Sequence, residues 1–243
     1  MSTDAQLIHP TGKVNIAELC LRTEAIKDRL IDERYRLQVD YPHLRPSFDA
    51  RLTCFSKLEN VLGSFQLGCV FWAENLMSPD WWKKRTSYPE SDLPILRGEF
   101  HVFLKLGLVH LSFSAVESNL RIFMRAIDPS AHAGSSHEFK RVYDDLFLRR
   151  LSAPMPIYVE LLDMASRLGN TVHNNGVYFH KSGKAVDQPY KGQIYRFTCG
   201  KPIEFGGWPL LLSILSDLTS MLVDIARDPN IIGVKKEICD PRS

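Results

Sequence analysis

Apolar residues recur at helical spacing through most of this chain. From about Asn15 to Tyr41, Leu19, Ile26, Leu30 and Leu37 fall on one side among many charges, which predicts an amphipathic helix that stops before Pro42. A second helix is predicted over about Ser47 to Leu76, with Leu52, Phe55, Leu62, Phe65, Cys69 and Trp72 on its stripe. The third and longest, about Ile95 to Ile127, places Phe103, Leu106, Phe113, Leu120 and Met124 on one face. A shorter helix covers about Glu138 to Leu151 and ends in Arg149-Arg150, where cations suit the negative end of the helix dipole. The fifth starts near Pro156 and reaches about His173, where Asn174-Asn175-Gly176 stops it. The period then changes. Val177 to Phe179, Ile194 to Phe197 and Ile203 to Phe205 read as short strands, with a turn at Cys199-Gly200-Lys201. From Trp208-Pro209 a final helix carries Leu211, Leu215, Leu218, Leu222 and Ile225 to about Arg227.

The expected fold class is therefore mainly all-α, a multi-helix bundle with a small β-ribbon inserted before the last helix. Residues 1–90 read as an N-terminal helical extension packing on a bundle at 95–228, with the ribbon at about 177–206 and a tail at 229–243. The stretch at 78–94 contains three prolines, and it predicts a long surface connection. Its Lys83-Lys84-Arg85 triplet beside Trp81 and Trp82 fits RNA binding through charge and stacking. It equally fits a solvated loop pinned by tryptophans packed on the bundle.

Composition narrows the function classes. With 243 residues and 44% hydrophobic content, the chain can bury one sizeable core or two modest ones. Thirty Lys and Arg against 28 Asp and Glu leave a net charge of +2, so any phosphate binding must be local. The five cysteines, Cys20, Cys54, Cys69, Cys199 and Cys239, form no close pair, which suits reduced thiols in the cytoplasm. The first residues lack the basic and apolar blocks of a signal peptide, and charged residues interrupt the long apolar stretches, so no membrane association is expected. There is no phosphate-binding glycine loop, dinucleotide fingerprint, zinc-protease helix motif or nucleophile elbow. No cofactor and no metal site are expected, and His132 and His137 read as surface residues.

Two polar groupings interrupt the apolar faces. His110 and Glu117 fall in or beside the stripe of the third helix, flanked by Ser114 and Arg121. A carboxylate aimed at a core must be paired, either with Arg121 one turn on or across to another helix. On the fifth helix, Leu161, Ala165, Leu168 and Val172 form the packing face, while Asp163, Arg167, Asn170 and Asn174 share the opposite side. His173 lies some 120° around from Arg167 on a straight helix. The two meet at one phosphate only if the helix bends or ends near Gly169 or Asn174, or if two copies form a composite pocket. Local alternatives are an Arg167–Asp163 ion pair, a helix-end cation at His173 and a C-cap at Asn174 to Gly176.

An arginine followed a few residues later by histidine, near the end of a bundle helix, resembles the ribonuclease signature of the HEPN superfamily. Arg167 and His173 match it with five residues between them, and the stretch from Ser114 to Arg121 is similar to the preceding bundle helix of such proteins. The residue after the arginine is commonly polar in that family; here it is Leu168. The resemblance implies metal-independent RNA cleavage, with Arg167 and His173 catalytic. Asn170, Asn174 and Glu117 would support them, and Arg121 would add to RNA binding. It also implies a homodimer, an RNA partner and control by a cognate antitoxin or other regulatory protein, in a toxin, stress or antiviral setting. The alternative is a non-catalytic scaffold of the same type that binds a nucleotide, an RNA or a protein.

Overall fold

The structure, a computed structural model, describes residues 15–130, 138–172, 174 and 176–240. Helix α1 (Ile16–Asp40) begins where the Asn15 side chain accepts a hydrogen bond from the Glu18 amide, and it buries Leu19, Leu30 and Leu37. Helix α2 (Ala50–Phe71) returns antiparallel to it, with Lys27 donating to Gln66 at one end and Arg34 paired with Glu59 towards the other. A π-helical turn, Trp72–Leu76, continues α2 and buries Trp72 and Leu76. Next come α3 (Pro79–Arg85), a 3-10 turn at Glu90–Asp92 and α4 (Leu93–Ile127). The expectation of an irregular connection over 78–94 is thus corrected. Ser78 caps α3 and Pro79 occupies its first turn, so the residues that break one helix start another.

Helix α5 (Phe139–Asp145), with a π-helical turn at Leu146–Arg150, leads to α6 (Pro156–Val172), which runs antiparallel to α4. The ribbon is two small antiparallel sheets rather than one. Strand β1 (Val177–Tyr178) pairs with β4 (Lys201–Pro202), and β2 (Val186–Tyr190) pairs with β3 (Gln193–Phe197). The expected strand at Ile203 to Phe205 is replaced by Lys201–Pro202, and β2 carried no strand signal. Lys191 and Gly192, with φ of 49° and 73°, form the turn between β2 and β3, a left-handed pair that matches the twist of a hairpin. Helix α7 (Trp208–Arg227) buries every residue of its expected stripe.

One hydrophobic cluster runs from Leu19 to Ile238, so α1 and α2 share the core of the later helices. The segment after α7, expected as a tail, packs too. Helix α8 (Pro229–Ile232) is capped by Asp228, and Cys239 bridges to Asp49 at the start of α2. Arg51, only 2% exposed, is held by Asp49 and donates to the carbonyls of Ile231, Ile232 and Val234. Asp240 receives Lys57 at 2.5 Å and Thr53 at 3.1 Å. All five cysteines are unpaired, and burial pushes the Cys69 thiol up to about 12.

Among the described residues, two helices are long and apolar enough to cross a membrane by length and composition, α4 with the turn before it and α7. The apolar window of α7 is 61% buried, as in a core helix; that of α4 is only 28% buried. Phe103, expected to face the core, is 67% exposed.

Candidate active site

Helix α6 buries Leu161, Leu162, Met164, Ala165 and Leu168 against the bundle. Arg167 therefore emerges on the opposite side, beside the two small sheets. Its Nε donates to Gln188 Oε1 at 2.8 Å, and Nη1 donates to the Tyr178 hydroxyl at 3.1 Å. Both partners are buried, Tyr178 on β1 and Gln188 on β2. The Gln188 amide nitrogen donates to the Pro189 carbonyl at 3.0 Å, which turns its oxygen towards the guanidinium. Arg167 thus ties α6 to both sheets, and its Nη2 has no partner among the described residues.

This arrangement corrects the ion pair between Arg167 and Asp163. Asp163 instead accepts from Tyr143 at 2.5 Å and from Lys140 at 2.8 Å. Burial, and then the adjacent Asp163 carboxylate, push the Tyr143 phenol far above its ordinary value. Asn170 and Asn174 are exposed on the same side as Arg167, and the Asn174 amide donates to the Asn170 carbonyl at 3.1 Å, closing the end of α6. Gly176, with φ of 84°, donates to the Thr171 carbonyl at 2.8 Å and turns the chain into β1. His173, like His132 and His137, lies outside the described residues.

Glu117, expected to support Arg167, is paired with Arg121 instead, and the expected RNA-binding residues Arg121 and Lys83 to Arg85 stand on different helices. Glu117 accepts from Arg121 Nε and Nη2 at 2.9 and 2.7 Å, the local pairing left open by the sequence, and the Arg121 guanidinium lies 5.5 Å from the centre of the Phe139 ring. Lys83, Lys84 and Arg85 stand on α3, which packs on the π-helical turn after α2, not on the Arg167 side of α6. Lys83 is 3.0 Å from Glu90. Trp82 is buried and donates to the Leu76 carbonyl at 2.7 Å, so this tryptophan anchors α3 by packing.

No family model, curated protein or solved structure matches this chain. The site is therefore read from its own chemistry. Leu168 is buried in the packing face, so the side chain after the arginine is directed away from Arg167's side. Among the described residues no three His, Cys, Asp or Glu side chains converge to hold a metal ion. Sequence reasoning missed Tyr178 and Gln188 as the partners of Arg167. Tyr178 lay in an expected strand, but Gln188 sat in a stretch without periodicity, and a polar residue there gives no sign that it is buried.

Proposed function

We propose that this chain is a metal-independent endoribonuclease acting in the cytoplasm, with Arg167 and His173 as its catalytic pair. The observation that supports the reading is the fixed guanidinium. Two of the donors of Arg167 are committed to buried partners, which holds the guanidinium in place and leaves Nη2 as a preorganised phosphate ligand on the side of α6 that also carries the exposed Asn170. His173 takes the proton of a ribose 2′-hydroxyl, and the 2′-oxygen attacks the adjacent phosphorus. Arg167 neutralises charge growing on the phosphate oxygens. The 5′-oxygen leaves and takes a proton from water, while the His173 imidazolium returns its own to solvent, giving a 2′,3′-cyclic phosphate and a free 5′-hydroxyl. Asn170 and Asn174 hold the phosphate. DNA, lacking the 2′-hydroxyl, resists cleavage. A regulatory protein such as an antitoxin would act by covering this side of α6.

The test is incubation of purified wild type, Arg167→Lys, Arg167→Ala and His173→Ala with mixed-sequence RNA in EDTA, followed by end-group analysis. Wild type is expected to leave cyclic phosphate. His173→Ala should be inactive, and Arg167→Lys, which keeps the charge but loses the fork, should fall by about 100-fold or more. Cleavage indifferent to all three substitutions overturns the assignment. The commitment of Arg167 to Gln188 and Tyr178 also favours a second reading, a non-catalytic binding protein in which the arginine is mainly a clasp. RNA bound and left intact by wild type would establish it.

A further inference from the structure

Among the described residues, the lysines that are half-buried are Lys27, Lys57 and Lys105. The first two are matched with acids: Lys27 is 2.9 Å from Glu24 and Lys57 is 2.5 Å from Asp240. Lys105 of α4 has no carboxylate beside it among the described residues. Its Nζ lies 6.0 Å from the centre of the Trp208 ring, the outer limit of a cation–π contact. His101, one turn earlier, is the titratable group that feels its charge, and an imidazole offers no negative charge in return. Burial alone lowers the Lys105 pKa from its ordinary value of 10.5. The ammonium lines a cleft of about 250 Å³ whose wall is apolar: Val102 and Val109 of α4, Leu168 and Val172 of α6, Ile203 after β4 and Leu211 of α7. Thr171 also lines it, but its hydroxyl already donates to the Leu168 carbonyl at 2.7 Å. Val102, 46% exposed, stands at the mouth.

We propose that this cleft binds a short-chain aliphatic carboxylate, with the carboxylate on the Lys105 ammonium and the chain against the apolar wall. The inference stands apart from the ribonuclease reading, because the cleft lies on the packing side of α6 and Arg167 emerges on the opposite one. The chemistry of the lining selects the occupant. A carboxylate supplies the counter-charge that the fold leaves out, in surroundings where a charge-assisted hydrogen bond is stronger than in water. Each methylene moved from water onto the wall adds about fourfold in affinity. Sites for drug-sized ligands occupy roughly 300–1,000 Å³, so a cleft of about 250 Å³ limits the chain to a few carbons. A phosphate or a nucleotide fits poorly. Its several charged oxygens need several donors, and the side chains lining the cleft offer the Lys105 ammonium and a hydroxyl that is already donating.

Isothermal titration calorimetry of the full chain at pH 7 with hexanoate, 1-hexanol and acetate tests the assignment. Hexanoate should bind with a dissociation constant below about 1 mM. Acetate, which lacks the chain, and hexanol, which lacks the charge, should each bind at least about 10-fold more weakly. Lys105→Met keeps an unbranched apolar stem and removes the ammonium. It should keep the helical circular-dichroism spectrum and raise the hexanoate dissociation constant by about 10-fold or more, with hexanol bound no more weakly than by wild type. Lys84→Met, at an exposed position on α3, should bind hexanoate as wild type does. No binding heat from wild type at about 10 mM hexanoate overturns the proposal. Hexanol bound as tightly as hexanoate by wild type, or hexanoate bound equally by wild type and a folded Lys105→Met, overturns it as well.

Discussion

His101 is kept neutral by what surrounds it. Its Nε2 accepts the Trp208 indole N–H at 2.9 Å, and its ring stacks on Trp72 with centroids 4.9 Å apart. Burial, and then the nearby Lys105 ammonium, lower its pKa from 6.5. In the unfolded chain the imidazole regains its ordinary value, so between the two values the unfolded state holds the extra proton. Stability is full above pH 6.5 and declines as the pH falls below it towards the depressed folded value. The melting temperature of wild type should therefore drop between about pH 7.5 and 5.5 more steeply than that of His101→Gln, measured by circular dichroism. Equal slopes would mean that His101 protonates freely in the fold. Arg167 follows the same logic of fixation by neighbours, but through donors: Gln188 and Tyr178 restrict a side chain that would otherwise sweep through solvent.

The β2–β3 hairpin shows how an element far from α6 in sequence shapes the arginine. Gly192 holds a left-handed φ of 73° with open space where a Cβ would stand, so Gly192→Ala adds backbone strain and no clash. The cost should be about 1–2 kcal/mol, read by urea denaturation. Because β2 carries Gln188, the same variant should also lower the proposed ribonuclease activity relative to a surface control; unchanged activity would separate the hairpin from the site. Helices α1, α2, α4, α6 and α7 were legible in the sequence because each has an apolar stripe at one period and a Pro, Gly or Asn stop. Strand β2 was not, since Val186, Gln188 and Tyr190 become a buried side only once α6 and α7 cover them. Helix α3 was hidden by the proline that starts it, Pro79. The α4 stripe was legible and the exposure of its N-terminal half was not, because periodicity identifies an apolar face without saying what packs on it. At the site, the polar side of α6 was visible from spacing, whereas the bond from Arg167 to Gln188 joins residues whose patterns are unrelated.

At the scale of the whole molecule, the Asp49–Arg51 pair links the start of α2 to the segment beyond α7. Asp49 and Arg51 are 1% and 2% exposed, and Asp49 accepts from Nε at 2.8 Å and Nη2 at 2.6 Å. Asp49→Ala leaves a buried guanidinium without its counter-charge and should cost about 3–5 kcal/mol. Chemical denaturation would measure it, and a loss under about 1 kcal/mol would mean that the carbonyls of residues 231–234 hold the cation unaided. The same link has a consequence for how the protein is made. The carbonyls of Ile231 and Val234 that satisfy Arg51 are synthesised 180 and 183 residues after it. At ordinary elongation rates of about 5–20 residues per second, Arg51 has Asp49 but none of these carbonyls for roughly 10–40 s. The start of α2 thus reaches its full set of partners only after α3 to α7 have been translated.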